Sequence, residues 1–432
     1  MDNLILSAVL AIIFIFFLAK PKLGLYSVAF FLPMIGWSFY IKSFSLTFID
    51  LLGLLLTLAF FTNYLWSIFF SRRQRQPAKP WRWPLFFPFA VFIFINLLSA
   101  LFAPDPLYSL WYIIRWPAFL YIAYIFVPYN LIQDGKTLKK TIIATASGAV
   151  LVLILGFLSL YGQDWHDSFF RIRSISLFGV YPYGENHNLI AEFLNVGVFM
   201  ILAWRQLTKN LRVRKILDIA FIAMSLGIIL TFSRAGWITL FLQLSIYTVF
   251  YFQTKKQTPR RLVLFIVGAL ILLSPLAWKM GQLQQENTSS TENRWLLTKI
   301  AIEAFQDKPY MGYGSGEFIN LVDDNLRFKA KYGPAIDSHG MLQKVLAENG
   351  AFGLAAWIFI IAALLKHFWF ALQKYYHRNL WLLPVIIAGL GGLFFQLFNT
   401  SYYKGKVWLP IALALVAINL IEQHALKQSA KK

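Results

Sequence analysis

Apolar stretches of about 17–25 residues recur along the whole chain, each long enough for a helix to cross the hydrocarbon core of a bilayer. They predict spans near 3–19, 23–40, 46–70, 84–103, 108–130, 141–161, 188–204, 216–232, 235–252, 261–278, 349–365, 379–398 and 407–422. In lipid every backbone polar group must be satisfied within the protein, so helices are the expected solution. The ten-residue alternation of a membrane barrel is absent. The predicted fold is therefore all-α: a polytopic integral membrane protein of 12–13 transmembrane helices, with its N-terminus outside and its C-terminus inside. One long polar segment, 279–348, interrupts the apolar pattern. It divides the chain into N-terminal helices (1–160), central helices with an outer loop at 162–187 (161–278), the large loop itself (279–348), and C-terminal helices with a short tail (349–432).

Composition agrees. The chain is 58% hydrophobic, against about 45–50% for a soluble domain, and its mean hydropathy is +0.59. It has no cysteine, which excludes disulfides, thiolate metal sites and cysteine nucleophiles. No small-residue cleavage site follows the first apolar run, so that run reads as a retained helix.

The net charge of +21 would suggest nucleic acid on a soluble protein. Here its distribution along the chain accounts for it, and no nucleic-acid partner is implied. Alternate connections are basic: Lys20 and Lys22; Arg72, Arg73, Arg75, Lys79 and Arg82; Lys136, Lys139 and Lys140; Arg205, Lys209, Arg212, Arg214 and Lys215; Lys255, Lys256, Arg260 and Arg261; Lys366, Lys374 and Arg378; and Lys427, Lys431 and Lys432. These are 25 of the 40 lysines and arginines, accompanied only by Asp134, Asp218 and Glu422. By the positive-inside rule this set is cytoplasmic, and loops 162–187 and 279–348 face outward. No internal repeat of the transporter kind is visible.

Polar residues at helix ends or inside spans are costly and so mark candidate chemistry. Arg234, in Thr231-Phe232-Ser233-Arg234-Ala235-Gly236-Trp237, sits at an outer turn. Its planar fork suits a phosphate; the plainer reading is a snorkelling arginine. The outer loop carries Arg171, Arg173, Glu185 and His187, and Glu192 follows one turn into the membrane. In extended chain the two arginines point the same way, although solvated charge also explains them. Glu192 needs a buried partner.

Thr291 is the expected N-cap of a helix ending at Lys308-Pro309, with Trp295, Ile302 and Phe305 on its apolar faces. That start puts Arg294 in the first turn, where a cation is unfavourable unless an anion is near. The glycine-spaced turn Gly312, Gly314, Gly316 is a weak phosphate signal, since such turns mostly serve positive φ. Asp337 or Ser338 is the expected cap of a short helix carrying Leu342 and Leu346, with His339 at its start. An imidazole there is a candidate general base, though a lone histidine is more often structural. Arg115, inside a span, requires a polar partner or a wet cavity. His166, His367, His377 and His424 carry no spacing signal, and no metal-ligand motif is present, so neither a metal nor a cofactor is expected.

The ordered set "TFSRAGWI", "RWLLTKIAIEAFQDKPYMGYGSGEF" and "HGMLQKVLAENGAFGL", preceded by "ENHNLIAEFL", resembles the O-antigen ligase/polymerase superfamily of bacterial membrane glycosyltransferases over roughly residues 160–400. One departure is Gly340, where that family usually carries an asparagine after the histidine. The resemblance implies a GT-C-like enzyme of the bacterial inner membrane, with its active site facing the periplasm. The donor it implies is a glycan on undecaprenyl diphosphate, and the acceptor a hydroxyl of lipid A–core or another glycan. The reaction it implies is inverting and metal-independent. A site without a metal needs cations to stabilise the leaving diphosphate. Arg234 and Arg294 are the first choices for that part, with Arg171, Arg173 and Arg115 behind them. His339 is assigned as general base or, alternatively, as a phosphate ligand, and Glu348 as its orienting partner or a helix cap.

Ligase, polymerase and protein O-oligosaccharyltransferase share these motifs. The absent C-terminal extension disfavours the last. A membrane transporter is the reading from another class. It is disfavoured because transporters gather polar residues near the midplane, whereas these lie at the outer surface.

Overall fold

The computed structural model describes residues 3–41, 44–70, 80–164, 170–254 and 288–429. The expected span 261–278, residues 279–287, Arg72, Arg73, Arg75, Lys79, His166, Lys255, Lys256, Arg260, Arg261, Lys431 and Lys432 lie outside the described residues.

The described chain is helical, apart from one small hairpin. Seven helices among the described residues are long and apolar enough to cross a membrane: Phe48–Phe69, Pro106–Leu131, Gly135–Leu158, His187–Leu207, Arg234–Thr254, Met341–Arg378 and Gly405–Ser429. Shorter apolar helices are Ser7–Ala19, Phe86–Ala100 and Leu382–Phe398. Their starts follow local sequence. Asp105 accepts from the Tyr108 N–H, Asp134 from Thr137, Asn186 from Asn188 and Asn210 from Arg212, each satisfying an otherwise orphan donor.

The expected span 23–40 is not a helix of that length. Pro21–Phe30 has 10 residues, about 15 Å and half a bilayer core. The chain then turns through Pro33 and Gly36 into an antiparallel pair, Ser38–Ile41 with Phe44–Thr47. Gly36 donates to the Pro182 carbonyl at 2.8 Å, and a β-carbon there would lie 1.7 Å from the Tyr181 oxygen. Close backbone docking therefore replaces the outer half of the expected span.

Two helices lie at the centre. His187–Leu207 and Gly405–Ser429 bury most of their length, and both pack on Leu382–Phe395. The ends of the bundle sort the connections. At one end Lys22 pairs with Asp134 at 2.9 Å, Lys139 reaches the Leu207 carbonyl at 3.0 Å, and Arg205 pairs with Asp218. At the other, Ile172 donates to the Leu230 carbonyl at 2.9 Å, Ser233 to Asn188 at 2.6 Å, Ser99 to the Met311 carbonyl at 2.6 Å, and Thr400 to the Ser338 carbonyl at 2.9 Å. Among the described residues, Lys22, Lys139 and Arg205 thus share one end, and the loop segments singled out for chemistry share the other.

Two loop helices differ from expectation. The helix carrying Arg294 includes Thr288–Asp307, so Arg294 lies beyond its first turn and Thr291 is not its N-cap. Its buried face is Leu297, Ile300, Ala301 and Ala304, packed on Phe318, Val322, Phe328 and Ala347, while Trp295 and Ile302 are exposed. The short helix expected after His339 is the start of one long helix, Met341–Tyr375, broken only at Gly350. Gly340, not Asp337 or Ser338, is its N-cap, and Leu342 is exposed.

Candidate active site

The glycine-rich turn docks on that helix break. Gly312, Gly314 and Gly316 all have positive φ (67°, 107° and 91°). The Tyr313 N–H donates to the Ala347 carbonyl at 3.0 Å and the Gly314 N–H to the Glu348 carbonyl at 2.8 Å. In return Ala351 donates to the Pro309 carbonyl at 2.8 Å. A β-carbon at Gly312 would sit 2.5 Å from the Glu348 carbonyl, and one at Gly350 would sit 2.4 Å from the Tyr310 oxygen. Ser99 bonds both Met311 and Glu348 carbonyls, and Ser315 links Asn96 to Asn349. The turn thus spends its amides on protein, and its glycines serve close approach.

Four segments carry charged or titratable side chains that act on one another. Arg234 is the first residue of the helix Arg234–Thr254, at an exposed position. Ser233 caps that helix by accepting from Gly236 at 3.2 Å, and donates to Asn188, tying this end to the start of His187–Leu207. Arg294 is half-buried. Burial, and after it the charge of Arg234, lower its affinity for its proton, but a guanidinium stays charged regardless. Among the described residues no hydrogen bond reaches its buried Nε. His339 is half-buried, and its imidazole is held below its ordinary value by burial first and by Arg294 second, with Asp337 opposing. His187 feels both Arg171 and Arg294. Arg171, His187, Arg234, Arg294 and His339 therefore form one electrostatic cluster, cationic on balance.

Residues 170–176 form neither helix nor strand, and Ile172 is fully buried between Arg171, which is half-buried, and Arg173. Arg173 is exposed, and its N–H donates to Ser159 at 2.9 Å.

The charge neighbours of Arg115 are Asp50, Tyr112, Tyr403 and Tyr108, and its guanidinium stacks 4.3 Å from the Trp116 ring centre. Neither Arg234 nor Arg294 is among those neighbours.

Glu348 is buried. It accepts from the Phe318 N–H at 3.3 Å and pairs with Lys344 at 3.6 Å. It caps the short helix Phe318–Asp323 rather than its own helix. Lys344 also grips both oxygens of Asp337, at 2.8 and 2.7 Å. Asp337, two residues from His339, is the carboxylate whose charge acts on that imidazole. Glu192 finds the partner it requires in Lys406 at 2.6 Å, with Gln396 and Asn399 each donating at 2.9 Å.

Sequence reasoning gave no role to Asp337 beyond a cap, and none to Lys344, Lys404 or Lys406. Lys344 and Glu348 at i, i+4 were a readable signal. Lys406 with Glu192 was not, because 214 residues separate them.

Residues 219–358 match a family model described as O-antigen ligase. The matched stretch contains Arg234, Arg294, His339 and Glu348, and supports the O-antigen ligase/polymerase superfamily. No curated protein matches the chain.

Proposed function

We propose, taking as premise a polytopic membrane protein with an O-antigen ligase domain, that this chain moves a glycan from undecaprenyl diphosphate to an acceptor hydroxyl, that of lipid A–core first. The observation that carries this reading is the cluster of Arg171, His187, Arg234, Arg294 and His339, drawn from four segments to one end of the bundle. Like charges gathered in a half-buried place are costly on their own, and a diphosphate offsets that cost. The basic residues at the other end support a periplasmic position for the cluster, by the positive-inside rule.

In this reading Arg234 and Arg294 hold the diphosphate, with Arg171 at the rim. The acceptor oxygen attacks the anomeric carbon. The new C–O bond forms as the bond from that carbon to the diphosphate oxygen breaks, with inversion. The electron pair leaves on undecaprenyl diphosphate, where the guanidinium groups meet the developing charge. The acceptor proton passes to His339, whose burial and Arg294 neighbour favour the neutral form that a base requires. Glu348 is a positioning residue that holds the glycine turn and Lys344, and through Lys344 it acts on Asp337.

The test uses purified protein in lipid nanodiscs with labelled undecaprenyl-diphosphate oligosaccharide, alone and with lipid A–core. Product only when lipid A–core is present, and lost in His339→Ala, supports a ligase. A ladder of longer glycans from donor alone makes the protein a polymerase. No donor consumption in either arm removes the transferase reading and returns a transporter or another acceptor to the front.

A further inference from the structure

One buried ion pair takes no part in the chemistry described so far. Glu192 lies five residues into the helix His187–Leu207, roughly 8 Å along the axis from its start. Lys406 is the second residue of Gly405–Ser429. The two meet at 2.6 Å, both buried. Such a pair is costly to desolvate, and apolar residues of similar size often serve stability as well. Inside a membrane protein it calls for a role beyond holding helices together. Both Glu192 oxygens are engaged, Oε1 by Gln396 at 2.9 Å and Oε2 by Lys406 and, at 2.9 Å, by Asn399. The carboxylate therefore serves the loop that follows Leu382–Phe398 and not a substrate.

That loop reaches the candidate base. Asn399, held by Glu192, accepts the Thr400 N–H at 2.9 Å. Thr400 is buried and donates its hydroxyl to the Ser338 carbonyl at 2.9 Å. Ser338, also buried, donates in turn to the Gly340 carbonyl at 2.9 Å. His339 lies between those two carbonyls, so its backbone is fixed on both sides. Gly340 also packs close: a β-carbon there would lie 3.1 Å from the Leu397 oxygen. The same helix start reaches the donor cations. Asn188 shares a face with Glu192 at i, i+4. It accepts from Ser233, the cap of the helix that opens with Arg234.

We propose that Glu192 and Lys406, acting through Asn399 and Thr400, are positioning residues that set the His339 imidazole against the arginines holding the donor. The role of His339 rests on the transferase reading; the path from the ion pair to Ser338 does not. Charge suits the task. An ion pair with amide donors fixes direction as well as distance, whereas apolar contact is non-directional.

Full-length protein in nanodiscs is assayed with labelled undecaprenyl-diphosphate oligosaccharide, in the arm where wild type turns over. Thr400→Val keeps the shape and both charges and removes the bond to Ser338. It should lower kcat by about 100-fold, the cost of a group misplaced by about 1 Å, with donor KM unchanged. Thr400→Ser keeps the hydroxyl and should restore kcat. Glu192→Leu with Lys406→Met should recover stability but not turnover, which separates positioning from packing. Wild-type kcat in Thr400→Val, or in a stable double variant, overturns the proposal. A second readout needs no reaction. In protein carrying isotope-labelled histidine, the His339 ring signal is identified by its loss in His339→Gln. It should move in Thr400→Val and return in Thr400→Ser. A signal unmoved by Thr400→Val overturns the proposal as well. If wild-type protein consumes no donor while that signal moves, the transfer reading fails and the positioning path stands.

Discussion

Lys344 holds both carboxylate oxygens of Asp337, at 2.8 and 2.7 Å, while its own side chain is 4% exposed. It also pairs with Glu348 at 3.6 Å, so one buried ammonium balances two carboxylates beside the candidate base. Removing one partner of such a set leaves uncompensated charge in a dry interior. Lys344→Met should therefore destabilise the protein by about 3–5 kcal/mol. Thermal unfolding in detergent checks this, and adding Glu348→Gln to the variant should recover part of the loss.

The surroundings of His339 set a pH dependence. Burial and Arg294 lower its proton affinity, and Asp337 raises it. A base must be neutral, so kcat/KM should fall as pH drops through a value below the ordinary histidine range of about 6.5. Arg294→Gln removes a positive neighbour and should move that acid limb to higher pH. Asp337→Asn removes the negative one and should move it lower. An acid limb unmoved by both substitutions would assign the titration to another group.

Arg234 and Arg294 are proposed to act through fork geometry as well as charge. Arg234→Lys keeps the charge and loses the bidentate bond. It should lower kcat/KM by about 100-fold, the lower end of what losing one preorganised donor costs, because the charge is kept. Turnover of labelled donor measures it, and near-wild-type rates would leave Arg234 as a snorkelling surface cation.

The pair Lys406–Glu192, at 2.6 Å with both side chains 2% exposed, joins two central helices. Glu192→Ala should cost about 3–5 kcal/mol of stability. Lys406→Met together with Glu192→Leu should recover much of it, since a buried ion pair is often replaceable by apolar residues. Midpoints of thermal unfolding for the single and double variants decide this.

The glycine turn is predicted to be a dock and not a phosphate cradle. Gly312 has φ 67°, and a β-carbon there meets the Glu348 backbone at 2.5 Å. Gly312→Ala should undock the turn at a cost of about 1–3 kcal/mol. Faster proteolysis within residues 308–318 should report it, with the affinity for undecaprenyl diphosphate lowered only as far as the loop opens.

Much of this protein was legible in its sequence. Runs of apolar residues set most of the helices, because in lipid a backbone has few ways to satisfy its own donors and acceptors. Alternating basic connections placed the loops at two ends. Arg234, Arg294 and His339 stood out because polar groups at the edge of a membrane need a reason. Composition could not see that residues 23–40 hold only half a helix, since a docked hairpin and a span are equally apolar. Nor could it see that Trp295 faces outward, because lipid and protein surfaces both accept an indole. Tertiary structure alone decided the partners: Lys406 for Glu192, Thr400 for the Ser338 carbonyl and Ser99 for the Glu348 carbonyl. Those pairings join residues 62 to 249 positions apart. Local periodicity encodes which face of a helix is apolar. It carries no information on which buried charge meets which, because that depends on how whole helices pack.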